Sequence, residues 1–259
     1  MKNIKMIFFD IDGTLIPFKK KDISDKLVFA LEKLKERGIK ICLATGRSPF
    51  QLPKFKGISF DVYLNFNGSL TYNKNEDIFK VPLLKDDIYK LLYNAKNINK
   101  PFAIATRDYY ACNASNSDLE EYFSFGGIKP EIYDNFEKII ETEDIFQAIM
   151  PIKNYEYEKA MLGVCNTKIA SWWDRAVDLV PKDGGKGKAV DEVLSFYNIK
   201  KEECLAFGDG NNDLEMFESL KYGIAMENAS CDLKNISYDI CKSADDDGIF
   251  YYLKEKGLI

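Results

Sequence analysis

The chain has 259 residues, 46% of them hydrophobic and 30% charged, enough to bury a sizeable core in one large or two small domains. Its 36 basic and 41 acidic residues leave a net charge of −5, and no basic block is long enough for a nucleic-acid arm, so dedicated DNA or RNA binding is not expected. Histidine is absent, which removes Ser-His-Asp and Cys-His catalysis, histidine-ligated zinc and imidazole as a general base.

The amino terminus runs into the apolar stretch Met6-Ile7-Phe8-Phe9, read as a buried strand, without a signal-peptide core. The strand ends in Asp10-Ile11-Asp12-Gly13-Thr14. Side chains two apart on a strand point the same way, so both carboxylates can face one site at the strand's carboxyl end. Open α/β sheets hold their ligands there. One carboxylate can act as nucleophile while its neighbour handles protons. Gly13 permits a sharp turn and offers an amide to an anion, and Thr14 adds a hydroxyl. Taken alone, the segment also fits an ordinary polar Asp-Gly turn. Ser24 then caps a predicted helix with apolar residues at Leu27, Ala30, Leu31 and Leu34, ending at Gly38. A second strand, Ile39–Ala44, runs into Thr45-Gly46-Arg47, where a hydroxyl beside a glycine amide makes a compact anion cradle or a plain turn. A third, Val62–Leu64, ends in Asn65-Phe66-Asn67-Gly68. Strands and helices alternating in this way predict a doubly wound parallel sheet.

The texture then changes. Helices at 86–97 and 118–123, strands at 102–106, 109–113 and 146–152, a helix at 155–162 and strands at 168–172 and 176–180 predict an inserted α+β module. Pro and Gly punctuation puts the Rossmann-like core at residues 1–81 and 182–259 and the insert at 82–181. The alternating pattern resumes with a helix at 188–197, a strand at 204–207, a helix at 211–220 and strands at 222–225 and 238–241. Gly184-Gly185-Lys186-Gly187-Lys188 precedes the first of these helices. It suits either a phosphate-binding lysine or a mobile linker, and it lacks the spacing of a Walker A loop. Lys186 is the better phosphate lysine, because Lys188 should already lie on the helix. Gly208-Asp209-Gly210-Asn211-Asn212-Asp213 gathers carboxylate and amide oxygens on a tight loop suited to a hard cation such as Mg²⁺. It fails as an EF-hand, and an Asx cap, most naturally at Asn211, explains only part of it. The four segments fall at strand ends or a helix start within one α/β domain, which predicts a shared phosphate-and-metal site.

The motif set resembles the haloacid-dehalogenase superfamily, in particular its Cof-type (IIB subclass) phosphatases. Asp10 to Thr14, Thr45-Gly46-Arg47, Lys186, and Gly208-Asp209 with Asn212-Asp213 match the four motifs in order. The resemblance implies a Rossmann-like core with an α+β cap that sets substrate specificity. It further implies that Asp10 attacks phosphorus to form a phospho-aspartate. Asp12 protonates the leaving oxygen and then activates water, which requires its pKa to rise. Gly13, Thr14, Thr45, Gly46, Lys186 and Asn212 bind phosphate. Mg²⁺ sits on Asp10, the Asp12 carbonyl and Asp209, with Asp213 as ligand or support. Arg47 and Arg107 are assigned to substrate, and Trp172 and Trp173 are expected to be buried by packing.

The expected activity is Mg²⁺-dependent hydrolysis of a small phosphorylated metabolite such as a sugar phosphate or a phosphorylated cofactor. A phosphomutase of similar fold and a non-catalytic phosphometabolite-binding protein stand as the alternatives. Six scattered cysteines without a Cys-x-x-Cys pair, and no stretch able to span a membrane, lead to the expectation of a reducing cytoplasm and no membrane partner.

Overall fold

Met6 to Phe9 are all buried, and successive side chains go to opposite faces of the strand. That alternation sets the layering of the larger of two compact units. The computed structural model describes residues 3–259; Met1 and Lys2, where the expected leaderless start begins, lie outside the described residues. The larger unit comprises the chain up to Arg47, Leu52–Lys80 and Gly185–Ile259, and the smaller Ser48–Gln51 and Val81–Gly184.

In chain order the larger unit opens with β1 (Met6–Phe9), α1 (Asp25–Glu36), β2 (Lys40–Ala44), β3 (Val62–Asn65), β4 (Leu70–Asn73) and β5 (Asp77–Lys80). The smaller unit holds α2 (Lys85–Asn97), β6 (Ala103–Ala105), β7 (Tyr110–Cys112), α3 (Ser117–Phe125), α4 (Phe136–Thr142), β8 (Gln147–Met150), α5 (Tyr157–Ala160), β9 (Thr167–Ala170) and β10 (Val177–Pro181). The chain returns to the larger unit with α6 (Lys186–Tyr197), β11 (Cys204–Gly208), α7 (Leu214–Glu218), β12 (Tyr222–Met226), α8 (Cys231–Ile236), β13 (Asp239–Cys241) and α9 (Gly248–Glu255).

The eight-stranded sheet has the order β13-β12-β11-β1-β2-β3-β4-β5. Neighbours are parallel from β13 to β3, and β4 and β5 add an antiparallel edge. Ile7 and Phe9 pack with Leu27, Leu31, Ile249 and Leu253 of α1 and α9. Met6 and Phe8 pack on the other face with Val190, Val193, Met216 and Leu233 of α6, α7 and α8. A parallel sheet covered on both sides explains why its strands read as continuous apolar runs. Ser24 caps α1 as expected, its hydroxyl accepting from the Leu27 N–H at 3.1 Å.

The smaller unit is α+β, with an antiparallel sheet in the order β7-β6-β8-β10-β9. One face of it, Ile104, Ala148, Met150, Val177 and Leu179, buries against Leu91, Ile139 and Ala160 of α2, α4 and α5. The helix expected at 155–162 shrinks to α5 behind a 3₁₀ turn. Trp172 is 56% exposed rather than buried, because β9 has ended and residues 171–175 form a loop. Its ring lies against Tyr122, Phe125 and Trp173. All six cysteines are free, with Cys165 and Cys231 exposed. Among the described residues, no helix is long and apolar enough to cross a membrane.

On β10, Asp178 accepts hydrogen bonds from Tyr122, Gln147 and Trp172, and desolvation pushes its carboxyl up to about 6. A folded-state pKa above the unfolded value of about 3.9 makes this group's stabilising contribution full below pH 4, and it is lost as pH rises through 6. Asp178→Asn removes that dependence. The wild-type unfolding free energy is expected to fall by about 2 kcal/mol relative to the variant between pH 4 and pH 7, measured by urea titration at a series of pH values.

Candidate active site

The parallel strands β1, β2, β3 and β11 all end on one side of the sheet, and their terminal loops carry the polar residues singled out above. Asp10 follows β1 directly, its N–H donating to the Phe207 carbonyl of β11 at 3.1 Å. The Lys186 ammonium is buried and donates to Asp10 Oδ1 and Asp213 Oδ1, each at 2.7 Å. Lys186 opens α6 rather than preceding it, with Gly185 as the cap residue. Asp213 Oδ2 accepts the N–H groups of Asp209 and Gly210 at 3.0 and 3.1 Å. The cap of that loop is therefore Asp213 reaching back, and Asn211 stands exposed.

Asp209 is held at both oxygens. Thr14 donates its hydroxyl to Oδ1 at 3.0 Å, and the Asn228 amide donates to Oδ2 at 3.2 Å. Thr14, expected at phosphate, thus directs its proton to a carboxylate. Burial pushes Asp209 up to about 6, opposed by the Thr14 hydrogen bond and reinforced by Asp213. Asp10 is raised well above the ordinary carboxylate range, first by burial, with Lys186 opposing and Asp213 and Asp209 adding to it. Burial would lower Lys186, but the charges of Asp10 and Asp213 outweigh it and hold its pKa high.

Oxygens of Asp10, Asp209 and Asp213 lie within 4.8 Å of one another. Three carboxylates share one ammonium, and all the donors are hard oxygens, so the residues fit a small divalent cation such as Mg²⁺. Asp10, Asp209 and Asp213 are the carboxylates that could supply its oxygens. Each of the three also accepts protein hydrogen bonds: Asp10 from Lys186, Asp209 from Thr14 and Asn228, and Asp213 from Lys186 and two loop amides. Asp12 is half exposed and forms a bidentate pair with Arg47, Nε to Oδ2 at 2.9 Å and Nη2 to Oδ1 at 2.6 Å. Arg47, assigned to substrate in the sequence, is brought to Asp12 instead. Thr45 Oγ1 accepts the Arg47 N–H at 3.1 Å, and Asn212 reaches Asn67 Oδ1 at 3.1 Å. Gly46 lies against the Asn67 side chain. Arg107 lies in the turn between β6 and β7 of the smaller unit.

A family model for haloacid dehalogenase-like hydrolases matches residues 7–253. The chain belongs to that family. It is 31% identical over 257 residues to the Bacillus subtilis protein YkrA, covering 98% of both chains. It is 25% identical to the Bacillus subtilis 5-amino-6-(5-phospho-D-ribitylamino)uracil phosphatase YitU, covering 96% of each. The solved structure of the subclass IIB sugar phosphatase BT4131 superposes with a TM-score of 0.85 at 26% identity, over 98% of this chain and 100% of the other. The chain is accordingly a hydrolase of phosphate esters, with the two-unit architecture of its subclass.

Within this family framework the glycines acquire separate reasons. Gly13 has φ +83°, and a Cβ there would lie 2.2 Å from Asp209 Oδ2. Gly187 is needed for packing, since its Cβ would lie 2.5 Å from the Glu215 carbonyl oxygen. The glycines around Lys186 therefore bring α6 against the start of α7. Asn228 escaped the sequence reading; the signal available was a polar amide two residues past the apolar strand 222–226.

The buried triad predicts that Lys186→Met lowers the unfolding free energy by roughly 3–5 kcal/mol at pH 7.5, because two carboxylates stay buried without their cation. The loss shrinks as pH falls, because the unpaired buried carboxylates can take up protons in the variant. Urea denaturation at a series of pH values checks it.

Proposed function

We propose that this chain is a Mg²⁺-dependent phosphatase of small phosphorylated metabolites, working through a phospho-aspartate on Asp10. The observation that carries the reading is the buried Asp10–Lys186–Asp213 contact beside Asp209 at the carboxyl ends of the parallel strands. A carboxylate attacking a phosphate dianion meets repulsion unless positive charge neutralises it. Lys186 supplies one such charge. When bound, Mg²⁺ on Asp10, the Asp12 segment and Asp209 would supply Lewis-acid charge stabilisation.

An oxygen of Asp10 attacks phosphorus, forming an acyl phosphate as the ester P–O bond breaks. Asp12 passes a proton to the departing oxygen. It then accepts a proton from the water that attacks the acyl phosphate, which releases inorganic phosphate and restores the Asp10 carboxylate. Delivery of that proton requires the Arg47–Asp12 pair to open. The substrate phosphate is a natural competitor for Arg47, since guanidinium binds phosphate and carboxylate in the same bidentate manner. Thr45, the backbone amide of Gly46 and Asn212 complete the phosphate site, and Arg107 serves the substrate; Gly13, expected to offer its amide to an anion, instead donates it to the Ile16 carbonyl at 2.8 Å.

The smaller unit, residues 82–181 in the sequence reading, acts as the specificity cap. The relatives named for a ribitylaminouracil phosphate and for sugar phosphates support small metabolites as the substrate class. Free thiols and a net charge of −5 support a cytoplasmic protein that does not bind nucleic acid.

Asp10→Asn is expected to cut phosphate release from p-nitrophenyl phosphate by at least about 10³-fold, and chelation by EDTA to abolish it until Mg²⁺ is returned. Malachite-green phosphate detection decides the matter. Release that persists unchanged in Asp10→Asn would sink the nucleophile assignment.

A further inference from the structure

The loop after β12 has no part in the chemistry above, yet it makes two hydrogen bonds to Asp209. Ala229 N–H closes a turn onto the Met226 carbonyl at 2.9 Å, and Ser230 N–H donates to the Asp209 carbonyl at 2.9 Å. Between them, the Asn228 amide spends its two protons on the Gly13 carbonyl at 3.0 Å and on Asp209 Oδ2 at 3.2 Å. The other carboxylate oxygen takes the Thr14 hydroxyl. Gly13 walls the same carboxylate sterically, with room for no Cβ beside Oδ2. Asp209 is therefore fixed at its main chain and at both oxygens, although the terminal torsion of an aspartate is otherwise broad.

We propose that Asn228 is a positioning residue that, with Thr14, clamps Asp209 for its cation and thereby favours Mg²⁺ over Ca²⁺. This rests on the metal-dependent function proposed above. Mg²⁺ demands near-octahedral geometry and takes one oxygen from each carboxylate, whereas Ca²⁺ accepts six to eight ligands and often both oxygens of one carboxylate. A carboxylate held by a donor on each oxygen cannot swing to offer both oxygens equally. Hydrogen-bond partners of metal ligands are commonly worth 10–100-fold in metal affinity.

Isothermal titration of the full chain with MgCl₂ and with CaCl₂ tests the clamp, using wild type, Asn228→Leu, Asn228→Ala, Thr14→Val and Thr14→Ser. Asn228→Leu and Thr14→Val are expected to weaken Mg²⁺ binding about tenfold or more while Ca²⁺ binding changes less than about threefold. Thr14→Ser keeps the hydroxyl and is expected to behave as wild type. The melting midpoint in EDTA reports the fold separately and is expected to stay within about 3 °C of wild type, with Asn228→Ala replacing Asn228→Leu if the latter does not fold. Unchanged Mg²⁺ affinity in both Asn228 variants, or equal losses for the two cations, overturns the clamp and leaves the proposed phosphatase standing. A wild-type chain that takes up neither cation overturns both.

Discussion

A lysine ammonium cut off from solvent is held 2.7 Å from each of two carboxylates, and the arrangement of the strand ends around it depends on that contact. A buried charge is tolerated only when it is paired and hydrogen-bonded, because desolvation costs several kcal/mol per ion. Asp10 ends the central strand, Lys186 opens a helix on one face of the sheet, and Asp213 closes the loop after the neighbouring strand. Three separate elements are therefore brought to one point. The glycines beside Lys186 allow α6 to approach the Glu215 backbone closely enough for the lysine to reach both partners.

The same contact leaves an imbalance, and the imbalance is chemically useful. Burial pushes Asp10 and Asp209 upward, and the mutual repulsion of three carboxylates that one ammonium does not cancel adds to it. A divalent cation would reverse that push and hold Asp10 ionised, as a nucleophile must be. Asp12 stands outside this charge cluster, more exposed and paired with Arg47. The two aspartates of one turn thus occupy contrasting environments, the kind of difference that lets identical side chains take different roles.

Legibility in the sequence followed the length and regularity of each signal. The apolar runs that became β1, β2, β11 and β12 were readable because a parallel sheet is buried on both faces. β4 and β5 went unread, since Leu70–Asn73 and Asp77–Lys80 are four-residue, half-polar strands with no strong hairpin turn between them. The helices α4, α8 and α9 are eight residues or fewer and were likewise too short to show a period. The exposure of Trp172 inverted a general preference for burial, because on a loop the ring is covered on part of its surface by neighbouring rings and the rest faces solvent.

By itself the sequence determined the parallel core with its α+β insert, and which strand ends carry carboxylates, a hydroxyl and a lysine. Those properties follow from period and spacing, which are local along the chain. Only the tertiary structure decided the partners: Thr14 on Asp209 rather than on an open anion site, Arg47 on Asp12, Asp213 as a double acceptor, and Asn228 beside Gly13. Thr14 and Asp209 are 195 residues apart, and a hydrogen bond is made or lost over less than an ångström. No spacing rule reaches across such a separation, so the direction of each donor is a property of the packed fold.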